Sequence, residues 1–266
     1  VVLESTVFPG VTKKFSKELE LKTNLKNNKD FFVCYSPERI NPGDKKNDLT
    51  KINKIIGFEG KNLKVKNKLK KIYSNLCKNI IFTKKINEAE TAKGIENIQR
   101  DLNIAFFNEI LVICNKLNIS FNEVIRLAAT KWNFIKFSPG LVGGHCLPVD
   151  PYYLTYAAIK KKYKSKITLA GRNINESMKK YVLKNVENKI KKIGKENKSN
   201  IKILVLGLTY KYLVSDIRNS QKIEIFNYLK KKYKNTIAYD PYFNNKKFNS
   251  INKNFHKNDI FLFLSK

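Results

Sequence analysis

The sequence predicts an α/β protein with a parallel-sheet region at each end of the chain and a helical region between them. Three observations carry that expectation. Residues 1–86 alternate short apolar strands with helical or loop segments, residues 87–117 keep apolar positions at helical spacing without a proline, and residues 198–241 repeat a strand, a glycine turn and a second strand.

Taken in order, VVLEST opens the chain as a strand, followed by FFVCYS at 31–36 and KIIGF at 54–58. A lysine-rich helix near 61–78 then leads to NIIFT at 79–83. Strands separated by helices imply a mostly parallel sheet, because a parallel partner is reached only by a crossover. From Asn87 to about Leu117 the spacing predicts one long helix, placed to bridge two domains. Helical patterning continues over 121–129, breaks in a loop at 131–151, and resumes over 152–163 and 168–193. KSNIKILVLGLTYKY at 198–212 is a buried strand and turn, NTIAYDP at 235–241 ends a second strand, and NDIFLFLSK adds a third. The expected domains are therefore 1–86, 87–198 and 199–266. Val1 opens directly as a strand without an initiator methionine or signal peptide, and Lys266 stops where a further helix is expected, so both ends read as interrupted.

Composition excludes several classes. With 42% hydrophobic and 12% aromatic residues, the 266-residue chain has material for packed cores and no case for disorder. No apolar run approaches the ~20 residues that span a bilayer. Cys34, Cys77, Cys114 and Cys146 form no CxxC pair and have no metal-type spacing, and His145 and His256 lack ligand spacing, so the expectation is reduced thiols in a cytoplasmic protein without a metal. The net charge of +31 raises nucleic acid, but 48 of the 53 basic residues are lysines scattered along the whole chain. That pattern reads as solvated faces, and nucleic-acid binding ranks last.

The stretch SPGLVGGHCLPVDPYYL at 138–154 carries the most chemistry. Gly140, Gly143 and Gly144 let backbone approach a ligand, Cys146 follows as a candidate nucleophile, and Asp150 supplies a carboxylate four residues on. A tight connection with a buried filler cysteine is the plainer alternative. Trp132, Tyr152 and Tyr153 frame the loop as candidate pocket walls. Lys93 and Asn97, four residues apart, share a helix face and suit oxyanion stabilisation, though alone they also suit a solvated stripe. Glu38 and Thr6 follow strand ends, where open α/β sheets place their ligands; a loop carboxylate and a turn hydroxyl are the bland readings. Among five arginines in a lysine-rich chain, Arg39 and Arg218 lie near strand-end loops and are candidate phosphate or carboxylate contacts, while Arg126 reads as a surface charge.

ESTVFPGVT, YSPERINPGD, AETAKGIENIQRDLNIAFFNE, KWNF, PGLVGGHCLPVDPYYLTY, AGRNINESM and GLTYKYLVSDIRNS occur in that order. Together they resemble the UDP-glucose/GDP-mannose dehydrogenase family, nearest its UDP-N-acetyl-glucosamine/galactosamine 6-dehydrogenase branch. The resemblance implies two Rossmann-like parallel-sheet domains, the first incomplete, joined by a central helical domain that dimerises. It implies NAD-dependent oxidation of a UDP-N-acetylhexosamine at C6, with Cys146 carrying a thiohemiacetal and then a thioester. Lys93 and Asn97 would stabilise the oxyanion, Asp150 would assist proton transfer, and Glu38 with Thr6 would serve the hydrolytic water. Arg39, Phe137, Gly140, Gly143, Tyr210 and Lys211 would contact the substrate, and Ser5, Thr6, Val7 and Arg218 the NAD. Arg172 matches a motif position without an assigned role. Some relatives place an arginine from a neighbouring subunit near the substrate, upstream of the nucleophile loop; here the nearest basic residue is Lys131. No GxGxxG turn precedes Val1, so the chain alone is expected to bind NAD poorly, and an inactive remnant or UDP-sugar-binding scaffold is the alternative function.

Overall fold

The computed structural model describes residues 1–41, 44, 46–192, 201–243 and 260–264. They form two compact units, one of Val1–Gln99 with Val149–Lys166 and one of Arg100–Pro148 with Ile167–Lys266. His256 lies outside the described residues.

The first unit holds a four-stranded sheet ordered β1 (Val2–Leu3), β2 (Cys34–Tyr35), β3 (Asn53–Gly57), β4 (Asn79–Thr83). Helix α1 (Val11–Thr23) carries the chain from β1 to its parallel neighbour β2, and α2 (Leu63–Tyr73) does the same between β3 and β4. Strands β2 and β3 pair antiparallel instead, at Tyr35 and Gly57. Among the described residues their connection contains only a 3₁₀ turn at Leu49–Lys51, with no crossover helix there to return the chain to the same edge. Successive side chains face opposite ways along a strand. Cys34 and Ile56 therefore pack with Leu69 and Tyr73 of α2, while Tyr35 and Ile55 pack with Ile86 and Ala89 of the long helix α3 (Ile86–Lys116).

The proline-free periodicity sets α3 within one residue of its expected bounds. Its residues through Gln99 belong to the first unit and those from Arg100 to the second. Helix α4 (Phe121–Ala128) follows, started by Ser120, whose hydroxyl accepts from the Glu123 N–H. Helix α5 (Asp150–Ile159) begins two residues earlier than the sequence suggested, because Pro151 near its start removes only an N–H that has no helical partner there.

In the second unit, α6 (Lys166–Lys192) precedes an all-parallel sheet of β5 (Lys202–Leu206), β6 (Asn235–Tyr239) and β7 (Ile260–Phe263), ordered β6-β5-β7. Helix α7 (Gln221–Lys232) is the crossover from β5 to β6. Ile203 and Val205 of β5 form the core with Val186 and Ile190 of α6 and Ile225 and Leu229 of α7. Among the described residues no helix is long and apolar enough to cross a membrane.

Candidate active site

Within the first unit, Ser5, Thr6 and Val7 follow the C-terminal end of β1, and Glu38 follows that of its parallel neighbour β2. The Glu38 N–H donates to the Glu4 carbonyl at 3.3 Å, which holds the two strand-end segments side by side. Glu38 itself is exposed, and its Oε1 accepts from the Ile40 N–H at 2.6 Å. Helix α3 presents Ile86, Ala89, Glu90, Lys93 and Asn97 at helical spacing, all buried, so the apolar stripe that packs on the sheet continues as a polar one. Asn97 Nδ2 donates to Asp150 Oδ2 at 2.5 Å, and both groups are buried. Asp150 is the first residue of α5, where the helix dipole favours a carboxylate.

Glu90 is a residue whose role the sequence does not disclose. Fully buried, it accepts from the Gly10 N–H at 2.5 Å, the Thr12 N–H at 2.9 Å and the Thr12 hydroxyl at 2.7 Å. It thereby caps α1 from another helix, so the α1 N-terminus is not open to a phosphate. Its signal in the sequence was a carboxylate inside the buried stripe of the long helix. Arg39 pairs with Glu96 at 2.7 Å and donates to the Asn53 carbonyl at 2.8 Å, contacts that fix the Glu38 loop to α3 and β3.

In the second unit the glycine loop lies against the turn after β5. A Cβ built on Gly143 would meet Tyr210 Cβ at 2.9 Å and the Asn219 carbonyl at 3.0 Å, and one on Gly144, whose φ is +83°, would meet the Tyr210 ring at 2.8 Å. Only glycine permits this approach. Cys146 is exposed and interacts electrostatically with Tyr210 and Arg218. Arg218 forks onto Asp216 through Nε and Nη2, the latter at 2.7 Å, and holds that carboxyl below the usual range. By contrast, burial pushes the Cys34 thiol up to about 11, against the pull of the N-terminal ammonium, so it stays protonated at neutral pH. No cysteine forms a disulfide, and among the described residues no three His, Cys, Asp or Glu side chains gather as a metal site.

Gly140 is clamped by one side chain. Asn108 Oδ1 accepts from its N–H at 2.8 Å and Asn108 Nδ2 donates to its carbonyl at 3.0 Å. Behind Asn108 stands Asn175 at 2.8 Å, which donates in turn to Asp101, whose carboxylate receives Arg172 at 2.7 Å. Arg172 thus belongs to a buried frame between α3 and α6 that anchors the loop. Gly140, Tyr210 and Lys211 line one cavity of about 370 Å³ together with apolar Leu111, Leu141 and Met178. Phe137 is half-buried against the Phe107 ring. Trp132, expected to wall a pocket, is 92% exposed, because the turn after α4 leaves it outside the packed core. Arg126 is exposed and paired with Glu123, as its surface reading anticipated.

Two α/β sheet folds, the first mixed and the second all-parallel, separated in the chain by a helical segment, with a cysteine on a glycine loop, describe a class of nucleotide-using α/β proteins. The chain belongs to the UDP-glucose/GDP-mannose dehydrogenase family: its NAD binding domain matches residues 1–77, its central domain 87–177 and its UDP binding domain 204–261. Protein CapL of Staphylococcus aureus is 46% identical over 232 residues, 86% of this chain and 54% of that protein. A UDP-N-acetyl-D-glucosamine 6-dehydrogenase of Salmonella typhi is 43% identical over 244 residues, 91% of this chain and 57% of that protein. The solved structure of a UDP-D-ManNAc dehydrogenase from Pyrococcus horikoshii superposes with a TM-score of 0.88 at 33% identity, over 100% of this chain and 62% of that one. The chain therefore spans little more than half the length of the curated relatives it matches.

Proposed function

We propose that the protein containing this chain oxidises the C6 hydroxyl of a UDP-N-acetylhexosamine to the uronate. The observation that carries the reading is the buried stripe of Lys93 and Asn97, with Asn97 bonded to an Asp150 that follows the Cys146 loop by four residues. NAD, when bound, supplies the hydride acceptor, two molecules being reduced for the four electrons that separate alcohol from carboxylate. Ser5 and Thr6 offer it hydroxyls at a parallel strand end and Val7 offers backbone, which suits the group; Arg218 is assigned to it by the family resemblance alone.

In this reading Lys93 and Asn97 hold the C6 oxygen as it gains negative charge, and Asp150 moves the proton. The Cys146 thiolate adds to the C6 aldehyde carbon to give a thiohemiacetal; loss of its C6 hydrogen as hydride leaves the thioester. Glu38 and Thr6 position a water whose oxygen bonds to C6 while the carbon–sulfur bond breaks, returning the thiol and releasing the carboxylate. Phe137, Gly140, Gly143, Tyr210 and Lys211 bind the UDP portion, with Arg39 acting through the Glu38 loop. We assign residues 1–86, 87–198 and 199–266 to three domains with NAD-binding, central and UDP-binding roles. Thiols without disulfides suit the cytoplasm.

The central segment supports a homodimer. Phe106, Ile113, Leu117, Leu127 and Trp132 are large apolar residues left exposed there. Sedimentation at micromolar concentration is expected to give the dimer, and a strictly monomeric species would remove it. The test of function is NADH production from UDP-N-acetyl-glucosamine and -galactosamine by the complete gene product. Cys146→Ser should abolish turnover, and unchanged turnover would remove the proposed nucleophile. A UDP-sugar-binding scaffold is the second reading, favoured by a cavity lined wholly within the second unit. It predicts UDP binding with no NADH.

A further inference from the structure

Helix α7 buries Lys222, Ile225, Phe226 and Leu229, which is the i, i+3, i+4, i+7 stripe of a core-facing helix. An aliphatic residue belongs at its first position, yet the chain has a lysine there, only 6% exposed. Burial of an ammonium is costly and shifts Lys222 below the ordinary lysine range, although Asp240 pulls the other way. The aliphatic stem of Lys222 is buried with the rest of the side chain. Lys222 lines the same cavity of about 370 Å³ as Lys211. Its other walls include Leu141, Met178, Val182 and Phe263. Two cations in a chamber walled by aliphatic and aromatic side chains, Tyr210 and Tyr212 among them, suit a flat ring carrying a phosphate chain.

We infer that Lys222 is a second cationic ligand of this cavity, acting with Lys211 on the phosphate groups of a nucleoside diphosphate. The inference rests on the proposed UDP-sugar reading and adds a residue that the sequence motifs did not select. The experiment measures calorimetric affinity of the whole chain for UDP and for uridine, using the unsubstituted protein, Lys222→Met and Lys222→Arg. Methionine keeps the buried stem, so unchanged thermal melting controls for folding. The expected result is a loss of about tenfold or more for UDP in Lys222→Met, little change for uridine, and partial recovery in Lys222→Arg.

In parallel, mass spectrometry follows acylation of Lys222, with pyrophosphate and UDP expected to protect it and uridine not. If the unsubstituted chain ignores UDP while pyrophosphate still protects Lys222, the anion site stands and the nucleotide reading falls. If UDP binds but Lys222→Met binds it equally well, or UDP and uridine weaken together, the inference falls and the nucleotide reading survives. Failure of both UDP and pyrophosphate to bind overturns both.

Discussion

Removing the Asp101 carboxylate is expected to be among the most damaging single changes in the second unit. Arg172 has no exposed surface and Asp101 is 1% exposed, with 2.7 Å between them. Asp101→Ala leaves the guanidinium buried with Glu176, a half-exposed and therefore screened partner, as its remaining carboxylate. Breaking a buried pair in this way costs about 3–5 kcal/mol. For a chain of this size about 2–4 °C accompanies each kcal/mol, so the melting temperature should fall by about 6–20 °C.

The loss has a second route. Asn175 donates to Asp101 Oδ1 at 2.8 Å and supports the Asn108 clamp on Gly140, so the loop that lines the cavity should loosen as well. Glu176→Gln should cost under about 1 kcal/mol. Adding Arg172→Met to Asp101→Ala should recover part of the loss, because the stranded charge goes with it. Asp101 Oδ2 and Arg172 Nε are buried without hydrogen-bond partners, which lowers the net worth of the intact pair without lowering the cost of breaking it. Thermal unfolding followed by circular dichroism reads all three variants. A shift for Asp101→Ala no larger than that for Glu176→Gln would refute the reasoning.

Two further outcomes follow from buried carboxylates. Burial opposes ionisation of Asp240, but N–H donors from Leu208, Thr209 and Tyr242 and the Thr209 hydroxyl outweigh it and hold the carboxyl below its ordinary value. A depressed folded pKa adds stability above the unfolded value near ~4, and that stability is lost as pH falls through the folded value; Asp240→Asn should flatten this acid limb in urea titrations, and an unchanged limb would exclude Asp240 as its source. Glu90→Ala should cost about 2–4 kcal/mol by uncapping α1, with faster amide exchange at Gly10 and Thr12 as its local signature, and unaltered exchange there would contradict the capping role.

What the sequence discloses follows from how local the determining physics is. The 31-residue α3 is legible because its periodicity and lack of proline act residue by residue. The parallel pairs are legible from strand–helix–strand order, whereas the antiparallel Tyr35–Gly57 pairing is decided by a long connection with little local signal. Helix α1 was no more than a helical or loop segment in the sequence, since VTKKFSKELELKT buries only Thr12 and Ser16 and its start is capped by Glu90, about eighty residues away. The glycine loop and Cys146 stand out by composition. Asn108, Arg172 and Lys222 do not, because an asparagine that clamps a backbone and a lysine that enters a core look like any others in a chain rich in both. Their positions within buried helical stripes were the available signal.

The central claim is covalent catalysis by Cys146, and trapping the enzyme-bound acyl group tests it most directly. In Glu38→Gln, thioester hydrolysis should slow, so incubating the complete gene product with NAD and UDP-N-acetyl-glucosamine should leave a uronyl adduct on the Cys146 peptide, detectable by mass spectrometry. An unmodified Cys146 peptide in that variant, together with full turnover in Cys146→Ser, would contradict the account.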